Sequence, residues 1–213
     1  MSKVVLNYFP IQGRAEVVRV MLSYLNITYD ERALPSPLFG QQAEWEKVRG
    51  EFEFLAVPVL EIDGHKLSET RSILRYLAAK HHLHPLDAYD LWRVDSLVDH
   101  YGDVEKAFFA VTLSKDEDAI KGFIEKTLVP TLLVLEARLK DNLTQDYLVG
   151  RALTVADVVY TNFVWSILTN EARDEAENQK MLAIVKNFPL MWAYLKKSRA
   201  RFPRLLKRPP SEI

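Results

Sequence analysis

Val57-Pro58-Val59-Leu60-Glu61-Ile62-Asp63-Gly64-His65-Lys66-Leu67-Ser68 is the stretch that decides how the N-terminal part of this chain folds. Val57 to Ile62 is an apolar run of strand length. Asp63-Gly64 is a strong two-residue turn signal, because a type I′ turn needs positive φ at both central positions. The chain is therefore expected to return through His65 to Leu67 as an antiparallel partner. From Ser68 to His82 the period changes, with Ile73, Leu74, Leu77 and Ala78 at helical spacing. Upstream, Lys3 to Phe9 is a β-branched and apolar run closed by Pro10 and Gly13. Val17, Val18, Met21, Leu22 and Leu25 then follow helical spacing, and Thr28 to Leu34 reads as a second strand ended by Pro35 and Pro37. A helical crossover makes the first strand pair parallel, and the tight turn makes the last pair antiparallel. The expected sheet is mixed, with helices packed on it.

After His84-Pro85 the strand signals cease. Amphipathic stretches run from about Tyr89 to Val111, Asp116 to Leu139, Thr154 to Leu168 and Gln179 to Lys197. This places a boundary near residues 83–88, between an α/β unit (1–82) and an all-helical unit (88–213). Thr154-Val155-Ala156-Asp157 has the spacing of a capping box, in which Thr154 and Asp157 satisfy each other's free backbone donors.

Composition excludes several classes of function. With 28 basic and 29 acidic residues the net charge is −1, which gives no general attraction to nucleic acid or anionic membrane. There is no cysteine, so disulfides, zinc thiolates and a cysteine nucleophile are excluded, and any thiol chemistry uses a thiol brought by a ligand. The start of the chain is too short in apolar residues for a signal peptide, and no run reaches membrane-spanning length, so the expected location is cytoplasmic. His81, His82 and His84 close a helix without an acidic or thiol partner, and no metal is expected there. The basic tail from Lys196 to Arg208 lacks interleaved aromatics and reads as solvated.

The ordered set of short motifs resembles one family. Leu6-Asn7-Tyr8-Phe9 with Gly13-Arg14-Ala15-Glu16 is similar to the opening of tyrosine-type cytosolic glutathione transferases. Val57 to Gly64 resembles their third strand and hairpin, and Ser68-Glu69-Thr70 the start of their third helix. Gly150 with Thr154 to Asp157 resembles their buried capping motif, and Lys207-Arg208-Pro209 sits where the sigma class often ends.

That resemblance implies a thioredoxin-like N-terminal domain with a cis Val57–Pro58 bond, followed by an all-helical domain. It implies that glutathione is the co-substrate and that Tyr8 stabilises its thiolate, supported by Arg14. Trp45 and Arg49 match residues that hold the glycyl carboxylate, and Val57, before Pro58, matches the backbone that pairs with the cysteinyl unit. Glu69 and Thr70 match the receivers of the γ-glutamyl end, although Gln-Ser is usual in their place. Asp95 matches an acid contributed from the partner subunit, and Phe54 an aromatic that inserts between subunits of a homodimer. The electrophile pocket is expected from Phe9, Tyr101, Phe108, Leu205 and Leu206. Asp99 and Asp103 partly match an interface metal set in sigma-class isomerases, with Gly102 replacing one member. The family implies conjugation of electrophiles, with a prostaglandin-type isomerase or a non-catalytic binding protein as the alternatives.

Without the resemblance, Tyr8 reads as a packing tyrosine on a strand and Trp45 as an apolar anchor. Arg14 then pairs with Glu16 or a neighbouring carboxylate. A short insertion around Pro35 to Gln42, relative to the sigma pattern, is expected to flank the glutathione site.

Overall fold

The computed structural model describes residues 3–114, 116–170 and 174–206. Its sheet has the order β2-β1-β3-β4. The strands are β1 (Val5–Tyr8), β2 (Asp30–Ala33), β3 (Val59–Ile62) and β4 (His65–Ser68). β1 pairs parallel with β2, placing Tyr8 opposite Ala33, and antiparallel with β3, placing Asn7 opposite Val59. β3 and β4 form the expected hairpin, with φ of +54° at Asp63 and +80° at Gly64. The third strand begins at Val59 rather than Val57, after a cis Val57–Pro58 peptide. Pro58 has no N–H to contribute to a ladder.

Alternation across the sheet separates two apolar clusters. Leu6, Tyr8, Leu60 and Ile62 belong to the main core, with α1 (Glu16–Tyr24) and α3 (Thr70–Lys80). Val59 joins Leu34, Phe52 and Trp45 of α2 (Gln42–Val48) in a smaller cluster. The Pro35 to Gln42 segment contains a single 3₁₀ turn, Pro37–Phe39, capped by Ser36 and closed by Gly40 at φ +75°.

The remaining helices are α4 (Ala88–Ser114), α5 (Glu117–Phe123), α6 (Val129–Asp141), α7 (Val155–Asn162), α8 (Glu175–Lys186), α9 (Pro189–Arg199) and α10 (Pro203–Leu206). Three stretches expected to be continuous are interrupted, one of them, Thr154 to Leu168, passing from α7 into a π-helical segment at Phe163–Leu168. Asp116 to Leu139 passes through a π-helical turn at Ile124–Leu128, just before Pro130, whose missing N–H cannot serve a helix interior. Gln179 to Lys197 breaks ahead of Pro189, which instead opens α9 at a position where proline is tolerated. The Lys207-Arg208-Pro209 segment lies outside the described residues.

α7 is buried along its whole length, and α1 and α3 of the sheet unit pack against it. Its capping box is present as expected and reaches further than the motif itself. The Asp157 carboxylate accepts from the amides of Leu148 (2.9 Å) and Thr154 (2.8 Å), the Thr154 hydroxyl (3.0 Å) and the Tyr194 hydroxyl (2.8 Å). Burial pushes this carboxyl up, and the four donors work against that shift. Replacing Asp157 with alanine leaves all four without their acceptor. We expect Asp157→Ala to cost about 3 kcal/mol or more, read as a lower urea midpoint at unchanged m value.

Candidate active site

β1 delivers Tyr8 to the C-terminal end of a central strand, beyond which the chain turns through Pro10 to Gln12 into a 3₁₀ turn at Gly13–Ala15. The Tyr8 ring is buried, and its hydroxyl oxygen accepts the backbone N–H of Arg14 at 3.0 Å. The oxygen's acceptor side is thus engaged, and the hydroxyl hydrogen remains to be given elsewhere. Burial pushes this phenol up from its ordinary value, against the pull of the Arg14 amide and charge, so it stays protonated at neutral pH.

Gly13 makes the approach possible. Its φ is +39°, and a Cβ there would stand 2.6 Å from the Tyr8 hydroxyl oxygen. Arg19, from α1, carries its guanidinium 5.7 Å from the Tyr8 ring centre and donates to the carbonyls of Ile11 and Gln12.

Arg14 is half-exposed, with Nε 3.7 Å from the buried carboxylate of Glu105 on α4 and the guanidinium 6.0 Å from the Phe109 ring centre. Glu105 also receives the Tyr101 hydroxyl. Burial pushes the Glu105 carboxyl up, while Tyr101 and the Arg14 charge hold it down. Arg14 therefore pairs with Glu105; the carboxylate of Glu16 is taken by Arg19 and Arg204. Glu105, Arg19 and Arg204 were not picked out from the sequence. Glu105 left one usable signal, a charge between Val104 and Phe108 on an apolar helix face, where a buried carboxylate needs a partner.

Beside Arg14 is a cavity lined by Phe54, Ala56, Val57, Pro58, Ser68, Glu69 and Thr70. Five of the residues expected at the glutathione site, Arg14, Val57, Pro58, Glu69 and Thr70, thus share one wall. Thr70 opens α3, so that helix's free amides face this end of the fold. Glu69 precedes it at φ +68°, a conformation that side chains rarely adopt.

Other expected residues lie apart from that lining. Trp45 is buried in the smaller cluster, 5.1 Å edge-on from Phe9. Arg49 places Nη1 on both oxygens of Glu46, at 2.9 and 3.1 Å, and its buried Nε has no partner among the described residues. Asp95 accepts from Arg75 Nε at 2.7 Å within the same chain. Phe9 is half-buried beside Tyr8, but Tyr101, Phe108 and Leu205 are closed into the core at 1–2% exposure, and Leu206 is exposed. Asp99 accepts from Arg75 Nη2 at 2.7 Å, and Arg71 lies over Gly102, where a Cβ would meet its guanidinium. Among the described residues no group of three His, Cys, Asp or Glu side chains could hold a metal.

The architecture is a thioredoxin-like domain with a mixed sheet followed by a helical domain. Sequence profiles of the glutathione S-transferase N-terminal and C-terminal domains match residues 4–79 and 102–203. Glutathione S-transferase A of Cavia porcellus is 29% identical over 95% of this chain and 94% of its own length. Glutathione S-transferase alpha-1 of Rattus norvegicus is 33% identical over 74% of this chain and 70% of its own. The crystal structure described as monomeric Na-GST-3, a glutathione S-transferase of Necator americanus, superposes with a TM-score of 0.78 at 25% identity, covering 100% of both chains. The chain belongs to the glutathione S-transferase family. Glutathione is that family's co-substrate.

The Gly13 contact makes the site sensitive to one methyl group. Gly13→Ala must displace the Tyr8 hydroxyl or the turn, and we expect glutathione-dependent turnover to fall about tenfold or more. The unfolding free energy should fall by about 1–2 kcal/mol for the strained φ. Steady-state rates and urea denaturation of the same preparation separate the two effects.

Proposed function

We propose that this protein is a tyrosine-type glutathione transferase that joins the glutathione sulfur to electrophilic small molecules, with Tyr8 stabilising the thiolate. The observation that carries this is the Arg14 amide on the Tyr8 oxygen, which occupies an acceptor position and leaves the hydroxyl hydrogen to be given elsewhere. A free thiol has a pKa of about 8.5, so at neutral pH it is mostly protonated. An O–H···S⁻ bond from Tyr8, in the field of Arg14, favours the thiolate. The thiol proton leaves to solvent, the sulfur lone pair forms the new bond to the electrophilic carbon, and the displaced group or a protonated adduct completes the balance.

The remaining roles follow the cavity. Glutathione has two carboxylates and an ammonium, and the lining offers the α3 N-terminus and Thr70 hydroxyl for an anion. Glu69 is suited to the ammonium, with Asp95 of the partner subunit as the second acid. The Val57 backbone, in the cavity lining, is assigned to pair with the cysteinyl unit in strand fashion. Arg49 and Trp45 are assigned the glycyl carboxylate, Arg49 with an Nε free of protein partners among the described residues. In this division residues 1–82 bind glutathione, and residues 88–213 contribute the electrophile site together with Phe9. Tyr101, Phe108 and Leu205, closed into the core, are not assigned to its lining, and Leu206 is exposed. The sigma-class alternative predicts isomerisation of an endoperoxide without consumption of glutathione, so a product assay for the conjugate separates it from conjugation.

Tyr8→Phe is the decisive test. Losing one charge-assisted donor removes roughly 1.5–3 kcal/mol of thiolate preference, or about one to two pKa units. A raised thiol pKa leaves less thiolate at neutral pH, so turnover falls about ten- to a hundredfold and recovers as pH rises. Titrating thiolate absorbance in both glutathione complexes checks this; coincident midpoints defeat the assignment.

A homodimer is part of the proposal. Phe54 is 57% exposed beside the cavity, with Leu55 next to it, and Tyr89, Trp92, Leu133 and Val134 expose apolar surface on α4 and α6. Phe54→Arg should convert the dimer to monomer in light scattering, with loss of glutathione affinity through Asp95. An active, stable monomer of the unaltered protein removes the dimer from this account.

A further inference from the structure

An ionic relay joins the C-terminal turn to the loop that presents Tyr8. Glu16 opens α1, and its carboxylate is almost fully buried. Arg204 of α10 grips both oxygens, with Nε on Oε1 at 2.7 Å and Nη2 on Oε2 at 3.1 Å. Arg19 donates to the same Oε2 at 3.2 Å. That donor is Nη1, which also serves the loop, while the rest of the guanidinium faces β2. Nη1 meets the carbonyls of Ile11 at 3.0 Å and Gln12 at 3.1 Å, while Nε and Nη2 clasp Glu31 of β2 at 2.8 and 3.1 Å.

Ile11 and Gln12 immediately precede Gly13, and the next amide is the one bound to the Tyr8 oxygen. Any shift of the Arg19 guanidinium is therefore transmitted to that donor and to the ring it faces. α10 is firmly seated at the other end of the relay: Leu205 and Phe202 are buried, and Phe202 packs 5.5 Å from Tyr24 of α1.

We propose that Arg204 is a positioning residue for the thiolate chemistry, fixing Glu16 and, through Arg19, the loop between Tyr8 and Arg14. This rests on the role assigned above to Tyr8. A buried carboxylate held by two cations stays centred between them. Without Arg204 it keeps only Arg19, whose Nη1 is already shared with two loop carbonyls. Glu16 then draws that guanidinium away from the loop, because an undercompensated buried carboxylate is costly. The groups assigned to the ends of the tripeptide belong to other elements. The loss therefore falls on the rate and its pH dependence, and the KM for glutathione is spared.

Arg204→Met keeps the apolar stem and removes the fork, and Arg204→Lys keeps a charge without bidentate geometry. Each is measured alone and combined with Tyr8→Phe, using a chlorinated nitroarene as electrophile. For Arg204→Met we expect kcat at neutral pH to fall about tenfold and the pH midpoint to rise by about one unit, with glutathione KM within about twofold. Arg204→Lys should lie between it and the unaltered protein. In the Tyr8→Phe background Arg204→Met should cost less than about twofold, since both act on one bond. An unshifted midpoint, or equal losses in both backgrounds, overturns the proposal. If Arg204→Met does not fold, the midpoint of Arg204→Lys decides in the same way. A Tyr8→Phe midpoint equal to that of the unaltered protein removes the thiolate role and the relay with it; a shifted one beside unshifted Arg204 variants removes the relay alone.

Discussion

Strand β1 is hydrogen-bonded on both edges, parallel to β2 and antiparallel to β3, and it ends on the residue that matters most. That double pairing fixes its register, and register fixes direction. A slip of one residue would turn Tyr8 to the face occupied by Trp45 and Phe52, and Asn7 toward α1. The Tyr8 carbonyl also accepts the Leu34 amide, so the strand is held to its last residue. The position of the hydroxyl is thus set by the sheet, while its hydrogen-bonding state is set by the loop that follows.

Two carboxylates flank that loop and meet different surroundings. Glu16 is enclosed by two arginines. Glu105 is nearly as buried, yet it is held by a tyrosine hydroxyl and a longer contact to Arg14, and burial raises its pKa. The first is suited to holding geometry. The second stands across from Arg14, where it limits how far that cation can swing toward solvent.

The strands, the hairpin and the change to an all-helical second half were legible because each rests on local signals: alternation, Asp63-Gly64 and 3.6-residue periodicity. Tyr8, Arg14, Glu69 and Thr70 were legible as a linear set of motifs, and all except Tyr8 line one cavity. Interruptions of the helices were less so, because Pro130 and Pro189 permit either a first-turn position or a kink. Partners were not legible. Glu16 and Arg204 are separated by 188 residues, and no local pattern announces a charge pair made across the fold. The aromatic candidates show the same limit. Helical spacing put Tyr101 and Phe108 on one face, but whether that face meets solvent or Phe163 is a tertiary fact.

Gly102 carries a further consequence. It is a glycine inside a long helix, where alanine is ordinarily better by about 1 kcal/mol, yet Arg71 lies in the space a side chain would occupy. Arg71 in turn donates to the Asp99 carbonyl and contributes its charge to the field around Glu105. The two positions are therefore not free to drift separately. A lineage that shortens residue 71 opens room for bulk at 102, whereas bulk at 102 arriving first must swing the half-exposed Arg71 guanidinium aside, away from the Asp99 carbonyl. The coupling acts through the Arg71–Asp99 contact, so among homologues a small residue at 102 should travel with a long cation at 71.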